Sequence, residues 1–204
     1  MPLAAVILSG GESSRMGSPK ALLPYRTTTF LGHLLDVARQ SLSDPTQRSE
    51  ADTTTVRVVL GAHVDEVTSA LSLDPGIVVR NPNWREGQLS SIQAAIRTLQ
   101  KASTDGFVLF LVDHPLVSAE LVSKLVAEFY ASGKPVVVPT FRGKRGHPVI
   151  FAKSLYDELL AAPTDKGARA VVWTHAVEVL EVPTEEEGIL LNLNDPEVLR
   201  RAMG

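Results

Sequence analysis

Apolar positions along this chain fall into two alternating textures. Short unbroken runs at Ala4–Leu8, Val56–Leu60, Ile77–Arg80, Phe107–Val112 and Pro135–Val138 are rich in aliphatic and β-branched residues and read as strands. Between them, Phe30–Gln40, Val64–Leu71, Leu89–Gln100 and Ala119–Ala131 carry apolar residues at helical spacing. Strands that are apolar at successive positions are buried on both faces. Separated by helices, they imply a parallel sheet covered above and below. Ligands of such open sheets bind beyond the carboxyl ends of the strands, so chemistry is expected just after each strand.

Two stretches break the rhythm. Ser41 to Thr54 is rich in Ser, Thr and Asp and predicts an exposed loop over about 41–54. Phe141 to Pro148 has no periodicity and reads as a functional or connecting loop. No internal repeat is present, and 204 residues suit a single domain over 1–204. With 44% hydrophobic and 21% charged residues, the composition is that of an ordinary globular chain able to bury a core without disulfides. There are no cysteines, which excludes thiolate nucleophiles, disulfides and Cys-ligated metal centres. A net charge of -3 argues against a general nucleic-acid binder but leaves room for a local basic pocket. No run of about twenty apolar residues predicts a membrane span. The opening Met1–Leu8 lacks a basic region and runs into a glycine-rich turn. It therefore reads as a strand rather than a signal peptide, and a cytoplasmic location is the default expectation.

The densest chemical signal is Leu8-Ser9-Gly10-Gly11-Glu12-Ser13-Ser14-Arg15-Met16-Gly17-Ser18-Pro19-Lys20, directly after the first strand. Glycines let backbone N–H groups approach phosphate oxygens that a Cβ would fend off. Arg15 can grip phosphate bidentately, and Lys20 supplies a compact positive charge. The spacing matches neither a Walker A loop nor the dinucleotide fingerprint. The bland alternative is a glycine-rich turn with two solvated cations. Asp113 is the first acidic residue after the Phe107–Val112 run, which makes it either an oxygen ligand for Mg²⁺ or a turn cap before Pro115. Gly87 to Ser91 reads as the start of a helix, where Ser90 and Ser91 either cap it or bind ligand. Trp84 either stacks on a planar ligand or is a partly buried loop residue. The cations Arg142, Lys144, Arg145, Lys166 and Arg169 either attract a phosphorylated acceptor or form solvated faces.

Taken together, Leu-x-Gly-Gly-x-x-x-Arg-Met-Gly-x-x-Lys, Asn81-Pro82-Asn83-Trp84-Arg85-Glu86-Gly87-Gln88-Leu89-Ser90-Ser91, Leu111-Val112-Asp113-His114-Pro115-Leu116, Gly146-His147-Pro148, Lys166-Gly167-Ala168-Arg169 and Asn192-Leu193-Asn194-Asp195-Pro196 resemble the MobA-like nucleotidyltransferases over nearly the whole chain. The resemblance implies a Rossmann-like three-layer α/β/α fold with a mostly parallel sheet, of nucleotide-diphospho-sugar transferase type. It implies Mg²⁺-dependent transfer of a nucleoside monophosphate from an NTP to a small phosphorylated acceptor. Leu8, Ser9, Gly10, Gly11, Asn81 and Ser90 would surround the nucleotide, with Ser91 and His147 toward the acceptor. Arg15 would bind the departing pyrophosphate, and Lys20 would stabilise charge at the α-phosphate. Asp113 and Asn194 would hold the metal, and Asp195 would cap a last helix opened by Pro196. The middle and later segments are most similar to molybdenum cofactor cytidylyltransferases, implying CTP as donor and a molybdenum-bearing pterin phosphate as acceptor, with a molybdoenzyme as possible client. Ser9-Gly10-Gly11 instead resembles the guanylyltransferases, which makes GTP the alternative. Relatives often carry Asp-x-Asp where this chain has Asn192 and Asn194, which implies weaker metal binding or, from a different class, a non-catalytic pterin delivery module. An oxidoreductase on the same fold would be expected to show G-x-G-x-x-G, which is not found here.

Overall fold

The first apolar run forms β1 (Ala4–Ser9), the hub of the sheet in the computed structural model, which describes residues 2–12, 17–42 and 55–194. A small hairpin of β2 (Pro24–Tyr25) and β3 (Thr28–Thr29) leads into α1 (Phe30–Leu42). Then follow β4 (Val56–Leu60), α2 (Val64–Ala70), β5 (Val78–Arg80), α3 (Gln88–Leu99), β6 (Gly106–Leu111) and α4 (Ala119–Ser132). The remainder is β7 (Val136–Phe141), β8 (Lys144–Arg145), β9 (Val149–Ala152), α5 (Tyr156–Ala161), α6 (Arg169–Thr174) and β10 (Val179–Pro183). Across the sheet the order is β10-β7-β9-β6-β1-β4-β5, with β8 on β7. Every pairing among β5, β4, β1 and β6 is parallel. β9, wedged between β6 and β7, is antiparallel to both, and the short β8 is antiparallel to β7.

The alternation of side chains along each strand divides the core in two. Ala5 and Ile7 face Phe30, Leu31 and Leu34 of α1, together with Leu121, Val122 and Leu125 of α4. Ala4, Val6 and Leu8 face Leu89, Ile92, Ile96 and Leu99 of α3, with Leu159 of α5 and Val171 of α6. The fold is therefore the three-layer α/β/α sandwich expected from runs that are apolar on both faces. Each fully buried Leu, Ile or Phe contributes roughly 1.5–3 kcal/mol. One buried polar side chain ties helix to helix through backbone. Gln93 Nε2, on the inner face of α3, donates to the carbonyls of Leu159, Leu160 and Ala162 at 3.1–3.2 Å, satisfying the open end of α5. Gln93→Leu should cost about 1–3 kcal/mol, since those carbonyls lose their donor. An unchanged denaturant midpoint would show that water replaces the amide.

Several features differ from the sequence expectation. β7 runs three residues beyond the predicted Val138, so the segment expected to be a loop over 141–148 is largely a tight hairpin. Arg142 and Gly143, both with positive φ (49° and 76°), form its turn. Ser41 and Leu42, expected in the exposed loop, are the last residues of α1. The rest of that loop, together with Arg15, Asp195 and Pro196, lies outside the described residues.

Candidate active site

Two carboxyl-terminal strand ends and the start of one helix meet at one cleft. β1 delivers Leu8, Ser9, Gly10 and Gly11, and β6 delivers Leu111, Val112 and Asp113. The start of α3 contributes Gly87, Gln88 and Ser91, with Lys20 and Trp84 closing a volume of about 230 Å³. The main chain fixes this layout. Val112 N donates to Leu8 O at 3.0 Å, and Ala62 N donates to Gly10 O at 3.1 Å. Gly10 is needed for space, because a Cβ there would sit 3.2 Å from Ser91 Oγ. Gly61, at the end of β4, is tighter still: its Cβ would lie 2.4 Å from Trp84 Cβ and 2.6 Å from Gly10 O. No motif contained Gly61, and Gln88 stood in the Asn81–Ser91 segment without a role of its own. The only signal was that Gly61 follows a predicted strand.

The charged centre joins three distant parts of the chain. Lys20, in a 3₁₀ turn (Lys20–Leu22) anchored by buried Ala21, donates its ammonium to Asn194 Oδ1. The same Nζ lies 3.7 Å from Asp113 Oδ2, with both side chains about one-fifth exposed. Leu193 N donates to Asp113 O at 2.7 Å, locking the segments that carry Asp113 and Asn194 side by side. Asp113 and Asn194 thus turn one carboxylate and one amide oxygen toward the Lys20 ammonium. A hard divalent cation such as Mg²⁺ accepts such donors while keeping waters and phosphate oxygens as its other ligands. The two oxygens suit such a cation in kind, and their single negative charge makes the protein's share of any binding modest.

Asn81 and Ser90 stand behind the cleft rather than on its lining. Asn81 Nδ2 donates to Ser90 Oγ and Ser91 Oγ, both at 2.9 Å, and Asn81 Oδ1 accepts from Asn83 N at 3.0 Å. This buried network sets the start of α3 and aims Ser91 into the cleft. Trp84 lines the cleft and carries the Arg85 guanidinium 4.2 Å from its ring centroid.

His147 lies in a neighbouring cleft of about 610 Å³ that shares Gly87 and Gln88 with the first. It follows Gly146 and precedes Pro148 across a cis peptide bond. Its ring centroid is 5.2 Å from that of His114, and its Nδ1 is buried without a hydrogen-bond partner among the described residues. Burial first, and then repulsion from His114, push the His147 imidazole down to about 4, against a pull upward from Asp113. The unfolded chain protonates this group near its ordinary value while the fold keeps it neutral. Stability should therefore fall as pH drops through the window from about 6.5 to about 4, by up to about 3 kcal/mol. His147→Gln should flatten that acid loss when unfolding is followed at pH 7 and pH 4.5. An identical loss in the variant would place the acid-sensitive group elsewhere. A third hollow of about 630 Å³, between the β2–β3 hairpin, α1 and the start of α4, contains none of Lys20, Asp113 or Asn194.

Comparison with known proteins finds relatives along nearly the whole chain. The family model described as MobA-like NTP transferase domain matches residues 5–179. A probable molybdenum cofactor guanylyltransferase of Mycobacterium avium (strain 104) is 30% identical over 98% of this chain and 94% of its own length. The nicotine blue oxidoreductase of Paenarthrobacter nicotinovorans is 30% identical over 82% of this chain and 79% of its own length. The molybdenum cofactor cytidylyltransferase of Escherichia coli (strain K12) is 23% identical over 94% and 91%. Among solved structures, Rv0371c of Mycobacterium tuberculosis H37Rv superposes with a TM-score of 0.79 at 28% identity, covering 100% of this chain and 97% of the other. A manganese complex of that protein is also similar, with a TM-score of 0.75 at 27% identity and coverage of 100% and 98%.

Proposed function

We propose, since this chain belongs to the family of MobA-like NTP transferase domains, that it transfers a nucleoside monophosphate from an NTP to the phosphate of a molybdenum-bearing pterin and releases pyrophosphate. The observation that carries the reading is the convergence of Lys20, Asp113 and Asn194 at the mouth of a glycine-lined cleft. An acceptor phosphate is already anionic near neutral pH, so the chain need not supply a nucleophile. Its oxygen attacks the α-phosphorus in line, and the bond to the departing pyrophosphate breaks. Lys20 offsets the charge that builds on the α-phosphate oxygens, while backbone N–H groups beside Gly10 and Gly11 hold the phosphates in place. Arg15 is assigned to the departing pyrophosphate. Mg²⁺, held by Asp113 and Asn194, would supply Lewis-acid polarisation of the phosphates.

For the donor, the reading is CTP, supported by the likeness of the Asn81–Ser91 and Gly146–Pro148 segments to cytidylyltransferases. GTP is the second reading, favoured by the Gly10–Gly11 pair and by the higher identity of relatives named guanylyltransferases. Pyrophosphate release from purified protein with Mg²⁺ separates them. Acceptor-dependent release with CTP supports the first reading, and release with GTP alone replaces it with the second. Silence with both, despite tight pterin binding, leaves a delivery role. Because one relative is a nicotine blue oxidoreductase, loss of absorbance at the nicotinamide band with candidate dyes would redirect the assignment to hydride transfer.

A further inference from the structure

The chain has two tryptophans, and each lines one of the two adjoining clefts. Trp84 belongs to the nucleotide cleft. Trp173 stands on the rim of the second cleft with 64% of its surface exposed, among the largest apolar exposures of the described residues. It lies one helical turn beyond Arg169 on α6, and the Arg169 guanidinium sits 5.8 Å from its ring centroid. Phe151 and Val149 supply the apolar floor of this cleft, while Lys166 and Arg169 supply its positive wall. Arg145 also lines it but is bound to Glu181 at 2.7 Å, and Asp165 contributes a carboxylate. Among the described residues, neither Lys166 nor Arg169 is in an ion pair. A flat exposed indole beside a guanidinium, over an apolar floor, suits a planar heteroaromatic ring that carries an anionic tail.

We propose that Trp173 and Arg169 form a stacking clamp for the planar ring of the phosphorylated acceptor, a role that rests on the transfer reading above. The ring stacks on the indole, and Lys166 and Arg169 face its polar edge and anionic tail. Its phosphate then points along the shared wall of Gly87 and Gln88 toward the nucleotide cleft. That orientation places the attacking oxygen and the α-phosphorus in neighbouring compartments of one continuous groove. Because α6 packs inward through Val171 while Trp173 faces out, the clamp is separable from the core.

The test uses the full chain and neopterin monophosphate as a soluble phosphorylated pterin, with affinity measured by calorimetry. Trp173→Leu keeps an apolar side chain but removes the flat ring, and should weaken binding roughly tenfold or more, as expected for loss of one ring stack. Trp173→Phe should retain most of the affinity, and CTP or GTP affinity should be unchanged in both. No binding by the unaltered chain, or equal binding by Trp173→Leu, overturns the clamp. Equal weakening toward NTP and pterin also overturns it, because that pattern belongs to a structural role. Ring-dependent pterin binding without pyrophosphate release from any NTP would keep the clamp and remove the transfer reading. Acceptor-dependent release that is insensitive to Trp173→Leu at low acceptor concentration would keep transfer and remove the clamp.

Discussion

Lys20→Ala is expected to lower kcat for pyrophosphate release by roughly 10²–10³, the scale for losing one preorganised charge at a developing oxyanion. KM for the NTP should move much less, because the ground-state phosphates keep the backbone cradle at Gly10 and Gly11. The same change leaves Asp113 and Asn194 without the ammonium they share, so the metal concentration for half-maximal rate should fall. Turnover within a few-fold of normal, measured by single-turnover kinetics, would remove Lys20 from the transition state. A raised KM with unchanged kcat would make it a uniform binder instead.

Gly61→Ala is expected to have the second-largest effect, although Gly61 carries no functional group. The added methyl would overlap Trp84 Cβ and Gly10 O, neither of which is the free end of a flexible chain. Relief requires moving either the 3₁₀ turn (Trp84–Glu86) or the loop after β1, and both border the glycine-lined cleft proposed to hold the nucleotide. Overpacking of this kind costs roughly 1–3 kcal/mol. A displacement of about 1 Å at the phosphate cradle can lower the rate by roughly 10²-fold. A variant with lowered midpoint and lowered kcat/KM would fit this account. Full activity at normal stability would mean that the strand ends move apart without disturbing the cleft.

The sequence exposed those parts of the fold whose burial is two-sided. β1, β4, β5, β6 and β7, and the four longer helices between and beside them, all lie within a few residues of their predicted spans, because continuous apolar runs leave little alternative. What was missed had weaker texture. β10 is a sheet-edge strand with only Val182 buried, α5 and α6 are six residues each, and β9 owes its antiparallel direction to pairing with β6 and β7. The candidate site divides in the same way. Lys20, Asp113, Gly10, Gly11 and Ser91 follow strands or open helices, and the structure brings them to one cleft. Asn81 and Ser90 went to the buried network behind it, a distinction no linear pattern carries. Asn194 met Asp113 only through tertiary structure, and before that only through resemblance. Trp173 stood out in neither periodicity nor motif, since its position on a cleft rim depends on how α6 packs.

The Lys20–Asn194 hydrogen bond bridges 174 positions of sequence, and this has a consequence for synthesis. A ribosome-bound chain could complete β1, α1 and β4 long before it reaches Asn194. Until then, Lys20 and Asp113 would face each other without the segment that positions them, since Leu193 also pins Asp113 through its backbone. Nascent chains should thus gain nucleotide-dependent protease resistance abruptly, once residues near 194 have cleared the exit tunnel.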